Sequence, residues 1–234
     1  MLINTSSTRP ADTDAISIEG PAGRLQALAE LPSADSGQAL AVVCHPHPLY
    51  QGTMDNKVVH TLVRACTRAG TPAVRFNFRG VGDSEGVHDN GVGEIDDALA
   101  VVDWAQARWP DRELWLLGFS FGGVIAAQAA LRKGATVLVT VAPAVTRLAL
   151  DAQASSLPRW LIVQGEDDDV VPASAVIDWL NDAPPGPQLV TLPQAGHFFH
   201  GQLNALREIV QKFLAGADAE ADPEGEVSPA GHSQ

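Results

Sequence analysis

Six short apolar runs, separated by stretches of helical pattern, constrain this sequence more than any other feature. They are LAVVC (40–44), AVRFNF (73–78), LWLLGF (114–119), TVLVTVA (136–142), WLIVQG (160–165) and QLVTLP (188–193). Most are rich in Val, Leu and Ile and lack a clean apolar–polar alternation. A strand with one wet face alternates; a strand covered on both faces does not. The runs therefore predict a parallel sheet sandwiched between helices. The helices are legible between them. In 55–69, Val58, Val59, Leu62, Val63, Cys66 and Ala69 form one stripe. In 94–108, Ile95, Ala98, Leu99 and Val102 share a face, and in 203–214 Leu203, Leu206, Val210, Phe213 and Leu214 recur at helical spacing. An earlier pair, AISIEG and RLQALAEL, joined through Pro21-Ala22-Gly23, predicts an antiparallel hairpin at one edge. The sum is the α/β class: an open, mostly parallel sheet of about seven or eight strands with helices on both faces. Ligands on such sheets bind beyond the carboxyl ends of the strands. Reactive groups are therefore to be sought just after the apolar runs.

Composition narrows the partners. The 15 Lys and Arg against 28 Asp and Glu leave a net charge of −13. So acidic a surface argues against nucleic acid or an anionic membrane as partner. Five of the acidic residues fall after Leu214, in a stretch without Lys or Arg. Residues 215–234 are thus expected to be a disordered acidic tail, and 1–14 a flexible N-terminus. Residues 15–214 make one domain, of a size that supports a single core. No apolar run approaches the ~20 residues of a membrane span. The opening MLINTSSTRPADTD lacks the basic-then-apolar order of a signal peptide. Cys44 and Cys66 sit in apolar contexts without metal-type spacing and read as reduced core thiols. Together these features point to the cytoplasm and a small-molecule partner, with monomer and homodimer both compatible.

Three strand ends carry candidate chemistry. After the third run comes Gly118-Phe119-Ser120-Phe121-Gly122, then Gly123 and the helical run VIAAQAALRK. This is G-x-S-x-G between a strand and a helix, which presents the serine on a tight turn at a helix N-terminus. After the fifth run, GEDDDVVP offers Asp167, Asp168 and Asp169, at least one of which must simply be a solvated turn residue. After the sixth, QAGHFFHG offers His197 in the loop and His200 nearer the next helix. A serine, an acid and a histidine in that order, each at a separate strand end, is the order of one known triad arrangement.

On these residues the chain resembles the α/β-hydrolase superfamily over roughly residues 15 to 214. The resemblance implies that Ser120 is the nucleophile and His197 its base. Many relatives carry the acid in G-x-x-D-x-V-V-P, and Gly165 to Pro172 match with Asp168 in that place. FRGVGDSEG (78–86) resembles the R-G-x-G-x-S segment of family members. More narrowly, CHPHPLYQGTMDNKVV (44–59) is similar to a subgroup of small bacterial serine hydrolases in which HPHPLYGGTM follows the strand. Gln51 stands where those relatives more usually have glycine.

The resemblance also implies an oxyanion hole made of the N–H after the nucleophile, Phe121, and one from the HPHP loop. Pro46 and Pro48 have no N–H, so His47 is the choice and Leu49 the alternative. A rival use of His45-x-His47 as zinc ligands fares poorly. That motif continues with Asp and His where this chain has Leu49 and Tyr50, so no metal is expected. GVGDSEG misses the dinucleotide fingerprint G-x-G-x-x-G by one place. About 15 residues separate Pro143 from the strand near Arg159, enough for one short helix and too few for a cap domain. The expected site is therefore open, bordered by Leu49, Tyr50, Phe119, Phe121, Phe198 and Phe199. The activity implied is hydrolysis of acyl esters through an acyl-enzyme, with no cofactor. Thioester hydrolysis, peptide cleavage or acyl transfer on the same triad, and a non-catalytic binding role, are the rivals.

Overall fold

The computed structural model describes residues 13–147, 157–183 and 185–216. Eight strands form one sheet: β1 (Thr13–Gly20), β2 (Gly23–Glu30), β3 (Ala39–Cys44), β4 (Ala73–Phe76), β5 (Glu113–Phe119), β6 (Val137–Val141), β7 (Arg159–Gly165) and β8 (Gln188–Leu192). Five helices join them: α1 (Lys57–Arg68), α2 (Val92–Arg108), α3 (Phe121–Lys133), α4 (Ala173–Asp182) and α5 (Leu203–Leu214). The strand order is β1-β2-β4-β3-β5-β6-β7-β8. All pairs from β4 to β8 are parallel, and the β1–β2 hairpin joins the edge of β4 antiparallel. Each expected strand is present.

Alternate residues of the central strands enter different cores, whereas the buried residues of β1 and β2 all join one. From β3, Leu40, Val42 and Cys44 pack with α2, α3 and α4, while Ala39, Ala41 and Val43 pack with α1 and α5. Two apolar faces on one strand are the physical origin of the unbroken runs in the sequence. Cys44 and Cys66 lie in opposite cores as free buried thiols, whose ionisation burial strongly opposes.

Strand order reverses between β3 and β5. The chain passes from β3 outward to β4, then returns to place β5 on the other side of β3. Such a switch point separates the two connecting loops and leaves a crevice beyond the strand ends. The loop after β3 and the turn after β5 flank it.

Two differences from the sequence reading concern boundaries. Thr13 and Asp14, expected in the flexible N-terminus, pair with Glu30 and Ala29 in β1. Between Pro143 and Arg159, Val145–Arg147 form one 3-10 turn, and the short helix expected next falls on 148–156, outside the described residues. The remaining residues of both termini are likewise outside them. Among the described residues no helix is long and apolar enough to cross a membrane.

Candidate active site

Ser120 sits between β5 and α3 with φ 55° and ψ −118°. A side-chain-bearing residue held there costs on the order of 1–3 kcal/mol, so its surroundings must over-determine it. They do. A Cβ on Gly118 would lie 2.1 Å from the Gly122 carbonyl oxygen, and one on Gly122 would lie 2.3 Å from that of His45. Only glycine at both places lets the turn close this tightly against the β3 loop. The Ser120 N–H donates to the Val141 carbonyl at 2.8 Å, and the Ser120 carbonyl accepts from the Gly123 N–H at 2.9 Å. The hydroxyl is thereby fixed above the sheet, at the start of α3.

The structure brings Ser120, His197 and Asp168 together. Ser120 Oγ lies 3.1 Å from His197 Nε2, and His197 Nδ1 lies 2.8 Å from Asp168 Oδ2. A carboxylate only accepts, so the Nδ1 proton donates to Asp168 and Nε2 is left to accept from the serine. The second oxygen, Asp168 Oδ1, accepts from the N–H groups of Val170 at 2.9 Å and Val171 at 2.7 Å. Burial opposes the Asp168 charge, but the His197 bond and these two N–H groups outweigh it and hold the carboxyl below its ordinary range. Asp167 and Asp169 are exposed, and so is His200. The Asp167 N–H donates to the Ala195 carbonyl at 3.0 Å, which ties the acid loop to the histidine loop.

Sequence reasoning missed Gln164. Its Nε2 donates to Asp168 Oδ2 at 3.1 Å and to the Val171 carbonyl at 2.8 Å, bracing the carboxylate from within β7. The available signal was a lone amide in the otherwise apolar run WLIVQG.

The HPHP loop divides its histidines between two tasks. His45 is fully buried: its Nε2 accepts from the Phe78 N–H at 3.0 Å, and Nδ1 donates to the Pro46 carbonyl at 2.6 Å. Both ring nitrogens are thus committed to backbone, and burial pushes its pKa from 6.5 down to about 4. His47 lines the crevice, its ring 4.8 Å from Phe121 and 4.9 Å from His88. Its Nδ1 accepts the Leu49 N–H at 3.2 Å, which engages the donor considered as the alternative to the His47 N–H. Gln51 adopts φ 61° and ψ 22°, a left-handed conformation that glycine enters without strain.

Above Ser120 opens a cleft of about 290 Å³. Tyr50, His47 and Phe121 line one side, and Val145, Val170, Val171 and Pro172 most of the other. Leu49, Tyr50 and Phe198 are exposed as expected of a rim, at 69%, 81% and 45%. Phe119 and Phe199 correct that expectation, because both are fully buried, whereas Phe121, also buried, does line the cleft. Phe119 points into the α1–α5 core and supports His197 from below, with ring centroids 5.0 Å apart. The R-G-x-G-x-S stretch is structural. Arg79 forms a fork onto Asp97 of α2, with the shortest contact 2.7 Å, and Ser84 Oγ donates to the Asn77 carbonyl at 2.7 Å.

A serine on a strained turn, a histidine within its reach and a buried carboxylate behind it define the class of the serine hydrolases. A family model described as alpha/beta hydrolase fold matches residues 49–161. An alpha-beta serine hydrolase homologue from Coxiella burnetii is 42% identical, with a TM-score of 0.81 over 86% of this chain and 97% of that one. A serine hydrolase without a lid from Xanthomonas campestris is 39% identical, with a TM-score of 0.82 over 90% and 97%. An uncharacterized protein of Rickettsia prowazekii is 40% identical over 174 residues, 71% of each chain. The chain belongs to the α/β-hydrolase family, within its lidless serine hydrolases.

Proposed function

We propose that this protein hydrolyses short acyl esters through a covalent acyl-enzyme. The Ser120 hydroxyl attacks the acyl carbonyl while His197 Nε2 takes its proton. The tetrahedral oxyanion is held by the N–H groups of Phe121 and His47. His197 then returns the proton to the leaving alcohol as the C–O bond breaks, and the same histidine activates the water that releases the acid. Asp168 keeps the Nδ1 proton in place and stabilises the imidazolium. The oxyanion pair should hold much of the catalytic power, since losing one donor typically costs about 10²–10³ in turnover.

The observation that carries this reading is the continuous Ser120–His197–Asp168 chain of hydrogen bonds opening onto a mostly apolar cleft. At about 290 Å³ the cleft is at the small end of ligand pockets, which favours short acyl groups. Its test is a matched series of p-nitrophenyl esters, an acyl thioester and an aminoacyl amide. The acetate to hexanoate esters should be turned over best and the dodecanoate poorly. Preference for the amide or the thioester would replace the reading with one of its rivals.

A further inference from the structure

A second concavity, larger than the Ser120 cleft, lies elsewhere on the molecule. It is a groove of about 560 Å³ between α1 and the start of α5. Lys57, His60 and Arg64 line it from α1; Gly201, Asn204 and Arg207 line it from the other wall, and no lining residue is acidic. This is unusual for a chain with 28 acidic and only 15 basic residues, three of which converge here.

Two of these three cations are not spent on neighbours. Lys57 and Arg64 form no ion pair with any described residue. Arg207 reaches Asn204 Oδ1 at 3.0 Å and has Glu208 at 3.7 Å, while its Nε is buried without a hydrogen-bond partner. His60 has Asp55 at 3.7 Å, outside the groove lining, and burial followed by the charge of Arg75 disfavours its protonation.

We propose that this groove binds a small organic phosphate, a phosphomonoester or a diphosphate. The Arg64 guanidinium fork matches the several acceptor oxygens of a phosphoryl group, and Lys57 and Arg207 add positive charge beside it. Three cations around one groove also call for more than the single charge of a carboxylate. The groove exceeds the size of inorganic phosphate, leaving room for an organic portion beside Leu203 and Thr61. The site is distinct from the Ser120 cleft and independent of what that cleft hydrolyses.

The test is calorimetric titration of the full chain with pyrophosphate and, separately, phenyl phosphate, the tighter of the two identifying the phosphate class. Saturable binding with Kd below about 1 mM is expected, weakening with salt. Lys57→Gln/Arg64→Gln should weaken it roughly tenfold per cation removed, and exposed Arg132→Gln should leave it unchanged. Arg207→Gln should weaken it further. Because Arg207 is largely covered, the Lys57→Gln/Arg64→Gln variant decides the matter if that protein does not fold. The His60 ring resonances should shift on binding, with the imidazole pKa rising beside the anion. Absence of saturable binding up to about 10 mM, or equal affinity in Lys57→Gln/Arg64→Gln, overturns the proposal.

Discussion

Lowering the pH tests whether His45 is the neutral brace of the HPHP loop. Its ring is sealed from water and bridges the Phe78 N–H and the Pro46 carbonyl, so Nε2 cannot take a proton without breaking the first bond. The unfolded chain takes that proton at 6.5, whereas the folded chain resists it down to about 4. The folded state therefore binds fewer protons within that window, and stability falls as pH falls through it. The contribution is fully present above the unfolded value and amounts to about 3 kcal/mol once lost. Between about pH 7.5 and 5 the expected loss is about 2 kcal/mol, with close to one proton taken up on unfolding at the lower end. His60 is displaced in the same direction, so His60→Gln is the proper background. The carboxyls of Asp168, Glu94 and Asp35 are held low, so their losses fall mainly at more acidic pH. Urea unfolding across this range measures the slope, and the ring proton of His45 followed by NMR should not titrate above about pH 5. A stability that stays flat from about pH 7.5 to 5, or a His45 that titrates near its ordinary value, would refute the reasoning.

Two further outcomes bear on the site. Asp168→Asn should lower kcat by about 10⁴-fold by losing the correct tautomer of His197, with Asp167→Asn and Asp169→Asn close to the unmodified protein; equal losses at all three would remove Asp168 from its role. Gln51→Gly should stabilise the protein by about 0.5–1 kcal/mol, the relief of a left-handed side-chain residue less the entropy the unfolded chain gains. A lower Tm for this variant would mean that the loop depends on the Gln51 side chain.

The parallel strands β3 to β7 were legible because they are buried on both faces, so composition alone marked them. The same property hid which face each side chain takes. Phe119 adjoins the serine in sequence, yet strand alternation turns it into the α1–α5 core, and no polar partner pattern on β5 reveals this. Thr13 and Asp14 join β1 through backbone pairing with Glu30 and Ala29, which leaves no apolar trace. The serine and histidine were readable from their places after strands. Among three adjacent aspartates only the path of the loop separates the buried Asp168 from its exposed neighbours. The far wall of the cleft, Val145 and Val170 to Pro172, comes from loops beyond β6 and β7, whose course has no periodicity to follow. α4 was equally faint, with Val176 its one fully buried side chain.

The central claim is that Ser120 is the nucleophile, activated by His197. Labelling the intact protein with a fluorophosphonate and locating the adduct by mass spectrometry tests it most directly. One adduct is expected on the peptide containing Ser120, absent in Ser120→Ala and much slower to form in His197→Ala. An adduct that persists in Ser120→Ala, or an intact protein that takes no label, would contradict it.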